Sequence, residues 1–103
     1  MEKKMDYIKI NGVQHPYRRS MNALKKFDAK FKSEGITSFT PDKYGVEQLL
    51  ALSFFIIEAG YLMESKPMPF SMEELGDLMT SEDIEKFQPV VTEEVKAEKK
   101  STK

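Results

Sequence analysis

Residues Val46 to Leu62 read VEQLLALSFFIIEAGYL, and this stretch decides the fold. Apart from Glu47, Gln48, Ser53, Glu58 and Gly60 it is apolar. It is too long, and too rich in Leu and Ala, for a typical buried strand. It is shorter than the roughly 20 apolar residues a bilayer span requires, and Glu47, Gln48 and Glu58 interrupt it. A helix that is apolar on nearly every side is normally the central helix of a small bundle. At about 100° per residue, Leu49, Leu52, Ser53, Ile56 and Gly60 fall on one side, with Leu50 and Ile57 beside them. The opposite side carries Glu47, Ala51, Phe54 and Glu58, flanked by Phe55, Tyr61 and Leu62. Two readings of that second side are open. Either other helices of the chain cover it, or part of it awaits a partner. Phe54, Phe55, Tyr61 and Leu62 are the candidate partner-binding residues.

Upstream, Ser20 is a good N-cap for a first helix running to about Glu34, with Gly35 placed to end it in the left-handed conformation. Met21, Leu24, Phe27 and Phe31 recur at helical spacing as its core stripe, while Lys25, Lys26, Lys30 and Lys32 take other faces. Thr40-Pro41 suits an N-cap and first position for the central helix, and Gly45 moves its regular part towards Val46. Further upstream, Asn11-Gly12 separates DYIKI from VQHPY, the signature of a hairpin with a two-residue type I′ turn. That register pairs Ile10 with Val13 and Ile8 with His15, all four on one face. An isolated hairpin is marginal in water, so this face must lie on a helix. Pro16 suits an edge position near the strand's end. His15 reads as a partly buried strand residue rather than a ligand or a base.

Downstream, the prolines of SKPMPF rule out a continuing helix. Ser71-Met-Glu-Glu74 is a capping box, with Phe70 and Leu75 spaced as a hydrophobic staple. The short third helix runs to about Met79 and buries Met72, Leu75 and Leu78 or Met79. Thr80-Ser81 starts a fourth helix through Ile84 and Phe87. Pro89 stops or kinks it, and Val90, Val91 and Val95 continue an apolar trace. The expected architecture is mainly α: three to four helices in a small bundle, with an N-terminal β-hairpin at 6–18. Residues 1–92 form one domain, and 93–103 read as a charged, disordered tail.

The 103 residues suffice for one core without crosslinks. The lack of cysteine excludes disulfides and thiolate metal sites, and with a single histidine a transition-metal site is disfavoured. The start, MEKKMDYIKI, lacks the apolar segment of a signal peptide. Net charge is −1, so no global field recruits nucleic acid. The charges are nevertheless polarised. Residues 1–45 hold ten Lys/Arg against five Asp/Glu, residues 46–95 two against eleven, and residues 96–103 four against one. Arg18, Arg19, Lys25 and Lys26 form the candidate basic side of a weak head-to-tail contact between copies. No Gly-rich phosphate loop appears, and no nucleophile stands with a base and an orienting group. The residues therefore read as a non-enzymatic protein with no cofactor.

The order of parts resembles a known family. A hairpin and helix "DYIKINGVQHPYRRSMNALKKFD", a linker, an apolar helix ending "FFIIEAGY", and a capped "SMEELGDLM" followed by a short helix are similar to the tail assembly chaperones of long-tailed bacteriophages and prophages. The resemblance covers about residues 6–92, through a pattern of small motifs rather than catalytic signatures. It implies a non-enzymatic role in the cytoplasm of the bacterial host. Such chaperones bind the tape measure protein, keep it soluble, and help recruit tail tube protein subunits around it during tail morphogenesis. The family has no active-site residues to transfer. The Pro-containing linker 64–70 and Pro89 depart from simpler members, which affects the expected length of the last helix. The alternative from the residues alone is a small nucleic-acid-associated or regulatory protein using the Arg18, Arg19, Lys25 and Lys26 patch.

Overall fold

The computed structural model describes residues 6–88. Strands β1 (Asp6–Ile10) and β2 (Val13–Tyr17) precede helices α1 (Met21–Phe31), α2 (Val46–Met63) and α3 (Met72–Leu78). A fourth helix, α4, occupies 81–88, where the described range ends. The architecture is thus a small, mainly α bundle with an N-terminal hairpin, as expected. The expectations for Pro89, Val90, Val91, Val95 and the 93–103 tail lie outside the described residues.

The hairpin follows from its turn. Asn11 and Gly12 both take positive φ, 53° and 79°, and the strands pair Ile8 with His15 and Ile10 with Val13. Ile10 and His15 are buried and Ile8 is half-buried. Val13, expected on the same covered face, is 55% exposed. Its cross-strand partner Ile10 is buried, so the helices cover the tip on the β1 side and leave the β2 side open.

In α1, the Ser20 hydroxyl accepts from the Ala23 amide at 3.1 Å. The helix ends at Phe31 and tightens into a 3-10 turn, Lys32–Glu34, before Gly35 at φ 73°. Its buried stripe is Ala23, Phe27 and Phe31, with Leu24 half-buried and Met21 73% exposed. The expected stripe was therefore phased wrongly at its start. Met21 lies about 120° round the helix from Phe27, whereas Ala23 lies about 40° away. The loop to α2 is pinned by Tyr44, whose hydroxyl donates to the Thr37 carbonyl at 2.9 Å and whose ring stands 5.2 Å from Phe27. Burial pushes that phenol up to about 12.

Helix α2 begins with Gly45 as N-cap, its amide donating to the Gln48 side chain at 2.7 Å. Pro41 sits instead in a separate 3-10 turn, Pro41–Lys43. Contrary to the expectation from length, the 18-residue helix α2, with mean hydropathy 1.5, is long and apolar enough to cross a membrane by length and composition. Here it packs against β2, α1 and α3, as a core helix does. Leu49, Leu52, Ser53, Ile56, Ile57 and Gly60 are buried as the periodicity predicts, and Ala51 and Gln48 are buried as well. Ala51 was expected on the open side, but elements surround α2 on more than one flank.

Of the glycines among the described residues, Gly60 has the closest neighbours. A Cβ there would stand 2.4 Å from the Pro16 carbonyl carbon and oxygen. Beside it, the Arg18 amide donates to the Ile56 carbonyl at 2.8 Å, tying the end of the hairpin to the helix backbone. Phe87 of α4 is fully buried, its ring edge-on to Tyr17 at 5.7 Å, which closes the core over the hairpin. Both later caps form as expected. The Ser71 hydroxyl accepts from the Glu74 amide at 3.1 Å, and the Glu74 carboxylate accepts from the Ser71 amide at 2.8 Å. Thr80 and Asp83 make the same reciprocal pair at the start of α4.

Candidate partner-binding groove

The chain leaves α2 through a left-handed turn. Ser65 takes φ 58°, the Ser65 amide donates to the Leu62 carbonyl at 3.0 Å, and the Lys66 amide donates to the Tyr61 carbonyl at 2.9 Å. This is a Schellman motif with serine where glycine is usual. It turns residues 66–68 back beside the helix. The result is a groove of about 470 Å³, bounded by the start of α1, the last turns of α2, and that returning loop.

One wall is a run along α2: Phe55, Ala59, Leu62 and Met63. Across from it stand Ser20, Asn22 and Ala23, and Pro67 and Met68 line the loop side. Ala23 and Ala59 are small, so the two helices leave space between larger neighbours. Leu62 is 75% exposed, and Met63 is also exposed. The rim is charged by Arg18, Lys26, Glu58 and Lys66. Lys26 reaches across to Glu58 at 3.0 Å, and Lys66 meets Glu64 at 3.5 Å. Arg18 is half-buried, and among the described residues no carboxylate pairs with its guanidinium.

The structure divides the four apolar candidates into two pairs. Phe55 and Leu62 line the groove. Phe54 and Tyr61 lie about 100° round α2 from them. Phe54 is half-buried against the core, its ring edge-on to Phe55 at 5.8 Å. The Tyr61 hydroxyl meets His15 Nδ1 at 2.6 Å. His15 also takes the Phe70 ring at 5.3 Å, and burial holds its imidazole below the ordinary value. Tyr61 is itself shifted up, chiefly by burial.

The basic candidates divide in the same way. Arg18 and Lys26 reach the groove, while Lys25 is exposed on α1 outside its lining. Arg19 is half-buried, and its charge acts on Tyr44. Sequence reasoning missed Ala23, Ala59, Met63 and Met68. The signal available was a pair of small residues on two helices otherwise lined with large ones. Among the described residues, no group of three or more acidic or histidine side chains stands together as a metal site. Comparison with known proteins found no matching family model, no matching curated sequence and no matching solved structure.

Proposed function

We propose that this protein is a non-enzymatic chaperone of phage tail assembly, which binds the tape measure protein and helps recruit tail tube subunits in the host cytoplasm. The observation that carries this reading is the groove. An apolar wall on the central helix, ending in an exposed leucine and methionine, opens between two helices rather than being sealed by the chain's own core. A long helical client exposes apolar stripes that would otherwise aggregate, and a groove between helices is the standard receptor for such a stripe. The order of the sequence motifs, which resembles that family, supports the same role.

The test is co-expression with a tape measure protein from a long-tailed phage. The expected result is that the client stays in the soluble fraction and co-purifies with the tagged chain. A client that sediments equally with and without the chain overturns the reading.

A further inference from the structure

We infer that the groove takes an amphipathic helix whose apolar ridge is flanked by a carboxylate, and that Arg18 is the residue that receives that carboxylate. The inference rests on the chaperone reading only for which protein supplies the helix.

The groove's shape selects the class of occupant. Phe55, Ala59, Leu62 and Met63 stand at i, i+4, i+7 and i+8, so the wall extends roughly 12 Å along α2 at 1.5 Å per residue. That length fits about two turns of a partner helix. An extended peptide would need unpaired strand donors and acceptors, which α1 and α2 do not offer, because a helix satisfies its own backbone. A helix brings its backbone already hydrogen-bonded, so it is the occupant that a wall between two helices fits best. Met63 and Met68 adapt to varied apolar side chains, which suits a receptor for a stripe rather than for one sequence.

Charge selects the flank. Of the rim cations, Lys26 and Lys66 already face Glu58 and Glu64. Arg18, a half-buried residue of the groove lining, does not, and a guanidinium is a planar fork matched to a carboxylate. The chain's own acidic helix is a poor candidate for this place. Helix α3 exposes Glu73, Glu74 and Asp77, but its Leu75 is buried in its own core and cannot fill an apolar wall. Helix α3 of a second copy is therefore ruled out, and the occupant assigned here is a helix of a partner protein.

The probes are three synthetic helical peptides with the same leucine face, flanked by Glu, Gln or Lys. Each is titrated against the full chain by fluorescence anisotropy. The Glu peptide should bind at least tenfold tighter than the Gln peptide, and the Lys peptide weakest. Arg18→Glu should reverse the order, and Arg18→Gln should abolish the preference while urea titration shows the fold intact. Leu62→Ser should weaken all three alike, whereas Val46→Ser, equally exposed at the far end of α2, should change nothing. The inference is overturned if Arg18→Glu leaves the Glu preference in place, or if Leu62→Ser leaves the affinities unchanged. It is also overturned if sedimentation shows wild-type oligomers that Arg18→Glu or Leu62→Ser disperses, since a second copy then fills the groove. Charge-dependent peptide binding without capture of the tape measure protein removes the chaperone reading and keeps this one. Capture without charge dependence does the reverse.

Discussion

Replacing Gly60 by alanine tests the packing of the whole fold at one atom. The added Cβ would lie 2.4 Å from the carbonyl carbon and oxygen of Pro16 and 2.5 Å from the Tyr17 nitrogen. Carbon contacts relax at about 3.5–4.0 Å, so the hairpin must retreat by roughly 1 Å. The opposing atoms are all backbone, and no rotamer change can relieve them. Overpacking of this kind costs about 1–3 kcal/mol. The retreat also stretches the Arg18 amide bond to the Ile56 carbonyl, 2.8 Å in the native fold, which is worth about 1 kcal/mol net. Alanine returns about 1 kcal/mol through its better helix propensity. The expected balance is a loss of about 1–3 kcal/mol. With a urea slope of about 1 kcal/mol per molar for a small domain, the midpoint should fall by about 1 M or more. Gly76→Ala is the control. Its Cβ meets only the Leu50 side-chain end at 3.1 Å, which can swing aside, so stability should hold or rise slightly. If Gly60→Ala is as stable as the wild type, the close crossing of helix and strand is wrong.

Ile56 is fully buried at the centre of the core, so Ile56→Ala should cost about 2–5 kcal/mol in a denaturant titration. Ser65 holds a left-handed conformation that glycine adopts freely, so Ser65→Gly should raise the unfolding midpoint by the equivalent of about 1 kcal/mol. His15 has a folded-state pKa depressed by burial, so the unfolded chain binds the proton more readily. The stability it contributes is full above the unfolded pKa of about 6.5 and is lost as pH falls from there towards the lower folded value. Urea midpoints measured between about pH 7 and pH 5.5 should therefore drop in the wild type and drop less in His15→Gln.

The parts of the fold that were legible in the sequence are those decided within a few residues. Asn11-Gly12 specifies its turn by positive φ, and Ser71 with Glu74 specifies a cap by mutual hydrogen bonds, so both read directly. The burial of α2 also read well, because its apolar side is broad enough to tolerate a small error of phase. Helix α1 did not read as well. Its stripe begins at Ala23, which carries little hydrophobic weight, while the larger Met21 suggested the wrong edge. Gly60 was placed on the correct face, but its reason for being glycine lies in the backbone of Pro16, forty-four positions earlier. The groove was the least legible feature. It depends on where α1 crosses α2 and on the direction taken after Ser65, and neither distance nor direction is encoded locally.

The doublets Phe54-Phe55 and Tyr61-Leu62 explain how one helix can hold the core and still offer a surface. Neighbours on a helix point about 100° apart, so each doublet addresses two environments. Positions seven apart return to nearly the same side after about two turns, so the first members align with each other, as do the second. Tyr61 is committed to the fold through its hydroxyl on His15, and Phe54 rests against the core. Phe55 and Leu62 face the groove, where Leu62 leaves most of its surface in water. Burying an exposed leucine side chain is worth about 1.5–3 kcal/mol, so leaving it out of the core forgoes stability comparable to a core contact. Its partner in the doublet is held by a hydrogen bond that fixes the helix's rotation. The folded side of α2 thereby aims the unfilled side, and the exposed leucine lines the same groove as Arg18.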